Sequence, residues 1–307
     1  MNLLTSIQER RPQLRCRGED SLEFSFYDLN AQQASKGIEL LFPGWFPERE
    51  RVVVFSPHDD DAVIGAGHLI QAAQAFGGEV FVVIFCQGNA GYTSPEERAT
   101  IVETRAAETL ASYALLGVDA QHLIRLDYSD FSVLGHLGWQ LPSGQEGTFP
   151  TIIKLLRRLG ATRLLLPNSY REHIDHEAVG RIGSYDGPQA GDPIVADWGA
   201  SSKIQSFLEY AVWGDFSPED ALVRGRGREI RANRALKGSP DAEERVLEAI
   251  RAFASQEKTI AHLIAAREQR KVGDGVLELY IDLDPRPMLD YKPYCRLVEE
   301  IDASRTV

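Results

Sequence analysis

The sequence predicts an α/β fold: a mostly parallel sheet with helices on both faces, built as a single domain with a C-terminal extension. Three observations predict it. Short apolar runs alternate with longer stretches of helical periodicity, which is the rhythm of strand–helix–strand units. The short runs, RVVVFS at 51–56 and EVFVVIFC at 79–86, carry apolar side chains at successive positions, as strands covered on both faces must. Titratable residues gather just after the runs, where ligands bind in open, Rossmann-like sheets.

The elements follow in order. The first fifty residues are mixed, and IELLFPGWFP at 38–47 reads as a packed lead-in loop. RVVVFS is the first buried strand. AVIGAGHLIQAAQAFGG follows as a small-residue helix stopped by Gly77 and Gly78. EVFVVIFC is the second strand. The stretch 94–117 reads as one long helix, with Ser94 as cap, Pro95 in the first turn and Glu97 three residues after the cap. HLIRL at 122–126 is a third strand, TIIKLLRRLG at 151–160 a helix ending at Gly160, and TRLLLPN at 162–168 a fourth strand. Beyond it, 204–214 is a strand candidate, 245–270 a single amphipathic helix, and 276–283 an edge strand. GSPDAEE (238–244) and RGRGRE (224–229) read as charged loops within one domain over 1–307, whose core is at about 50–260.

Composition narrows the function. The chain has 307 residues, 43% of them hydrophobic, enough for a core. With 33 basic and 45 acidic residues the formal charge is −12, which argues against a nucleic-acid or anionic-membrane surface. Cys16, Cys86 and Cys295 are far apart, so neither a disulfide framework nor a cysteine zinc site is expected. The N-terminus lacks the apolar core of a signal peptide and no run is long enough to span a membrane. The expectation is a soluble, cytoplasmic protein.

The strand-end loops are SPHDDD (56–61), CQGNAGY (86–92), LDYSD (126–130) and PNSYREHIDH (167–176). Three adjacent carboxylates, Asp59, Asp60 and Asp61, are costly to bury unless something repays them, and a cation is the simplest candidate. His58 and Asp61 are three apart, as are His173 and His176. Imidazole with carboxylate favours zinc over magnesium or calcium. A catalytic zinc takes three protein ligands and leaves a position for water. Two histidines and one aspartate would supply the three, leaving Asp60 and one histidine for acid–base work. That constellation points to metal-assisted hydrolysis of an amide or ester.

At this point the motifs resemble a family. HDDDAVIGAG, from His58, is similar to the H-P-D-D-E-x-x-G-x-G signature of the LmbE/PIG-L family of zinc-dependent N-deacetylases. HIDHEAVG, from His173, is similar to its second signature, H-P-D-H-x-x-V/A-G. Weaker similarity extends over residues 52–256. The resemblance implies Zn2+ held by His58, Asp61 and His176, Asp60 as general base, His173 as the oxyanion-stabilising group, and Asp175 as the acid that orients a histidine. It implies a small-molecule N-acetylated substrate, such as an amino sugar or glycoconjugate. Homo-oligomers are common among such enzymes. Asp59 and Ile174 stand where the family has proline, and Ala62 where it has glutamate. Asp59 is expected to add charge near the metal and to tolerate asparagine.

Other candidates have plainer readings. Arg105 and Asp127 are substrate-binding candidates, although an ion pair within its own helix would also account for Arg105. Tyr92, Tyr128 and Trp139 are candidate sugar contacts or simple packing residues. His68 is expected to be packed, and His122, His136 and His262 to be structural or solvated. The loops 135–150 and 184–202 are expected to set specificity. Two alternatives stay open: a non-catalytic sugar- or nucleotide-binding module, and a metal-dependent hydrolase of another amide or ester.

Overall fold

The computed structural model describes residues 22–218 and 230–305. Cys16, the N-terminal stretch read for targeting, and RGRGRE at 224–229 lie outside the described residues. The strands are β1 (Phe24–Asp28), β2 (Gln33–Ser35), β3 (Arg51–Ser56), β4 (Glu79–Cys86), β5 (Leu123–Tyr128), β6 (Arg163–Pro167), β7 (Ser206–Tyr210), β8 (Arg234–Gly238), β9 (Lys271–Val272) and β10 (Gly275–Leu283). The helices are α1 (Asp61–Ala75), α2 (Ile101–Leu115), α3 (Thr148–Leu159), α4 (Ile174–Asp186), α5 (Pro240–Arg251), α6 (Glu257–Ala266) and α7 (Lys292–Arg305). Among the described residues no helix is long and apolar enough to cross a membrane.

The ten strands among the described residues belong to one sheet, in the order β2-β1-β8-β10-β7-β6-β3-β4-β5, with β9 beside β10. The stretch from β7 to β5 is parallel throughout. The rest is an antiparallel wing. Alternation explains the unbroken apolar strands. Val52 and Val54 enter one core, with α1 and α5, while Val53 and Phe55 enter the other, with α3 and α4. Gly160 closes α3 in the left-handed conformation, φ 65°, as its place after the helix predicts.

Helix α1 is buried along most of its length, so its small residues are a packing requirement. A Cβ on Gly65 would overlap the Tyr210 ring. The helix kinks at Ala66 (φ −138°, ψ 20°), and charged side chains from the C-terminal part satisfy the freed backbone. Glu278 accepts the N–H of His68 and of Leu69, at 3.0 and 3.3 Å, and Arg267 donates to the Ile64 carbonyl at 2.9 Å. His68 is fully buried, its Nε2 2.9 Å from Glu243.

Several elements differ from expectation. The first fifty residues hold β1 and β2, and β1 pairs with β8, a strand the sequence reading left out. With β8 on its far side, β10 is an interior strand, not an edge. The helix expected over 245–270 is two helices, and α5 starts inside the supposed loop 238–244. The break has a tertiary cause: the N–H and hydroxyl of Ser255 both donate to Glu108, at 2.7 Å each. Likewise 95–99 is a separate 3-10 turn before α2. Glu97 still accepts the N–H groups of Thr93 and Ser94, at 2.7 and 3.1 Å.

Candidate metal centre

The parallel strands β3 and β6 deliver the two motifs to one end of the sheet. His58 follows β3, and Asp61 opens the first turn of α1. His173 caps α4, which carries Asp175 and His176 in its first turn. The loop after β5 adds Phe131 and Val133, whose N–H groups donate to the Asp175 carboxylate at 2.6 and 3.2 Å.

Asp61 sits between two imidazoles. Its Oδ2 lies 3.1 Å from His58 Nδ1 and 3.1 Å from His176 Nε2. The outer nitrogens are held by other carboxylates: His58 Nε2 is 3.4 Å from Asp175 Oδ2, and His176 Nδ1 is 2.9 Å from Glu172 Oε2. One ligand atom from each of His58, Asp61 and His176 lies within 4.8 Å of the others. Zinc bonds of about 2.0–2.1 Å in tetrahedral geometry separate ligand atoms by about 3.3 Å, close to the two 3.1 Å separations. In the neutral tautomer with Nδ1–H on Glu172, the buried His176 Nε2 has no donor to meet it and faces Asp61 Oδ2 at 3.1 Å. Two acceptors at that distance need a cation between them, a proton or a metal. Outer carboxylates that fix the histidine tautomers are the usual support of a metal ligand set.

The electrostatics follow from the same contacts. Burial alone would push His176 down, but the charge of Asp61 and bonds to Asp61 and Glu172 raise it to about 9. His58 is likewise disfavoured by burial yet raised well above the usual imidazole range by bonds to Asp175 and Asp61. Asp61 is lowered despite burial, through the charge of His176 and bonds to both histidines. His173 goes the other way: burial and the charges of His58 and His176 lower it. Its Nδ1 accepts the Asp175 N–H at 3.1 Å, so the neutral ring carries its proton on Nε2.

A second trio, His58, Cys86 and Asp175, also converges. It is the poorer ligand set. Burial pushes the Cys86 thiol up to about 12, so the thiolate a metal needs is disfavoured.

Asp59 corrects the sequence reading. Its carboxylate is fully buried and faces away from the trio. It is held by Arg125, by Arg105 Nε at 3.2 Å and by the Thr109 hydroxyl at 2.7 Å. Its charge is neutralised there and is not added to the metal centre. Arg105 is corrected with it. The side chain is 3% exposed and pairs with Asp59 and, through Nη2 at 3.2 Å, with Asp60 Oδ1. It pairs with the β3–α1 turn, not within its own helix. Asp127 is exposed on the rim, 3.3 Å from Arg125, and does not join the cluster. Ile174 is exposed at the first position of α4, where proline and other residues are both accommodated. Ala62 is fully buried in the core.

His122 pairs with Glu79 and His136 stacks on Tyr128, both away from the trio. His262 is exposed on α6. Trp139 stacks edge-on against Trp198, joining the loops 135–150 and 184–202. Sequence reasoning missed Glu172, whose Oε1 also accepts the N–H groups of Val212, Trp213 and Gly214 at 3.0, 3.0 and 2.7 Å. The available signal was a carboxylate four residues before a ligand histidine.

Residues 53–185 match the model of a family described as PIG-L: GlcNAc-PI de-N-acetylase. No curated protein matches by sequence. Among solved structures, the chain is similar to N,N'-diacetylchitobiose deacetylase from Pyrococcus horikoshii, at 21% identity and TM-score 0.57, covering 80% of this chain and 91% of that one. A conserved protein from Thermus thermophilus matches at 20% identity and TM-score 0.58, covering 78% and 96%. The 4-carboxy-2-hydroxymuconate hydratase of Pseudomonas putida matches at 16% identity and TM-score 0.56, covering 78% and 99%. At these identities the likeness shows the fold.

Proposed function

We propose that this chain, whose residues 53–185 match the PIG-L: GlcNAc-PI de-N-acetylase family model, is a zinc-dependent hydrolase that removes an acetyl group from an N-acetylated amino sugar or glycoconjugate. The fold alone does not choose the reaction, since a hydratase shares it. The observation that carries the reading is the ligand set: His58 Nδ1 and His176 Nε2 each 3.1 Å from Asp61 Oδ2, with their outer nitrogens on Asp175 and Glu172.

In this reading His58, Asp61 and His176 hold the zinc. Zinc bound there supplies Lewis acidity, bringing the pKa of water towards about 7. Asp60 accepts the proton of the attacking water, and Arg105 fixes its Oδ1 so that Oδ2 is left for that proton. His173 donates its Nε2–H to the acetyl carbonyl oxygen as charge develops. Its lowered pKa keeps the ring neutral near pH 7 with that proton in place. Asp60 then returns that proton to the leaving amine. Asp175 keeps His58 and His173 in register, touching the first at 3.4 Å and capping against the second.

The test is acetate release from a panel of N-acetylated sugars, with the protein zinc-loaded or chelated. Release that needs zinc is expected. No release from any N-acetylated amine by the zinc-loaded protein overturns the reading. Faster cleavage of matched esters than amides moves the assignment to another hydrolase. Absence of stoichiometric zinc favours the binding module.

A further inference from the structure

Two large aromatic side chains are exposed beside the histidines, and none of the roles above uses them. Phe131, 64% exposed, lies with its ring 4.6 Å from that of His173; Trp213, 47% exposed, lies 5.1 Å from that of His176. The two histidine rings are 5.7 Å apart, so Phe131 and Trp213 end a chain of neighbouring rings that includes the candidate ligand His176. An aromatic face open to solvent beside the site can take the apolar face of a ligand.

Both are held in place by the carboxylates that hold the histidines. Phe131 adopts a left-handed backbone, φ 63°, a conformation unfavourable for a bulky residue. Its N–H donates to Asp175 Oδ2, the oxygen beside His58 Nε2. Trp213 sits in a turn whose three successive N–H groups all donate to Glu172, the partner of His176. The walls are therefore fixed relative to the reacting centre, as a platform for a rigid ligand needs to be.

We propose that Phe131 and Trp213 are the specificity-determining walls of the substrate site, taking the apolar C–H faces of pyranose rings and selecting ring-bearing N-acetyl substrates over acyclic ones. The inference rests on the deacetylase reading for the reaction, and on the geometry for the platform. Stacking against one ring contributes about tenfold in binding. Because neither side chain touches a reacting atom in this scheme, each should act on KM and leave kcat nearly unchanged.

The experiment measures kcat, KM and zinc content for wild type, Phe131→Ala, Phe131→Leu, Trp213→Ala and Trp213→Leu. The substrates are N,N'-diacetylchitobiose and an acyclic N-acetylated amino alcohol. Each alanine variant is expected to raise KM for the sugar about tenfold. kcat should stay within about threefold, zinc should be unchanged, and the acyclic substrate should be unaffected. The leucine variants guard against misfolding and should show the same split. Equal losses on sugar and acyclic substrates, or no loss on either, overturn the proposal. Calorimetric binding of N,N'-diacetylchitobiose to the same proteins separates the two readings. Binding that weakens about tenfold in the variants, with no acetate released by wild type, removes the deacetylase reading and leaves the platform. Zinc-dependent release with unchanged sugar binding removes the platform alone.

Discussion

Replacing Asp59 with asparagine tests whether the aspartate triplet is one metal-facing patch or two devices. The carboxylate is fully buried and carries three partners: Arg105, Arg125 and Thr109. Asparagine keeps the size and removes the charge. Truncating one member of a buried ion pair costs about 3–5 kcal/mol. Here the lower end applies. Arg105 keeps Asp60, and Arg125 is 20% exposed and keeps Asp127. A loss of about 3 kcal/mol lowers the melting temperature by about 6 °C in a chain of this size. Zinc content should not change, because Asp59 touches none of the three candidate ligands. The control is Asp127→Asn, whose 63% exposed side chain should shift the midpoint by less than about 1 °C. Thermal unfolding of the three proteins under one buffer decides. If Asp59→Asn melts with wild type, the carboxylate is solvated and the buried network is wrong.

Glu172→Gln should keep the turn at 212–214 but weaken the hold on His176, lowering zinc affinity by about 10–100-fold in chelator competition. In the metal-free protein His176 keeps its proton to about pH 9, so zinc must displace it. His58 is raised as well, so zinc affinity should rise by at least about tenfold between pH 7 and pH 8, and a flat profile contradicts the assignment. Glu243 is opposed by burial but held down to about 2 by bonds to Arg267 and His68. Its folded pKa lies below its unfolded value near 4.5, so its contribution is full above that pH and is lost as pH falls towards 2, about 3 kcal/mol in all. Urea unfolding of wild type and Glu243→Gln should show the widest gap at pH 7 and a narrowing gap below pH 4.5. A constant gap removes the pair as the cause.

The centre of the parallel half was legible because β3, β4 and β6 are largely apolar on both faces, a local property of the runs at 51–56, 79–86 and 162–168. Most of the antiparallel wing was not, because β8 (RALKG) carries only one large apolar residue, Leu236, and is defined by its pairing with β1, some two hundred positions earlier. The same contrast holds at the site. His58, Asp61, His173 and His176 were readable from residue type, spacing and position after a strand. The role of Asp59 was not, since its partners Arg105 and Arg125 are 46 and 66 residues away. Glu172 was near in sequence, but what makes it matter is the turn at 212–214, which the fold alone brings to it. The break between α5 and α6 is also long-range, set by Glu108 reaching Ser255.

Asp60 and Asp61 are adjacent and chemically identical, yet the first faces Arg105 and the second lies between His58 and His176. Bound zinc per chain, measured for Asp60→Asn and Asp61→Ala after equilibration in limiting zinc, tests the proposed centre most directly, with acetate release from an N-acetylated sugar followed in parallel. Asp61→Ala should lose both zinc and activity, whereas Asp60→Asn should keep its zinc and lose about 10²-fold or more in turnover. Zinc retained by Asp61→Ala and lost by Asp60→Asn would contradict the assignment of ligand and base.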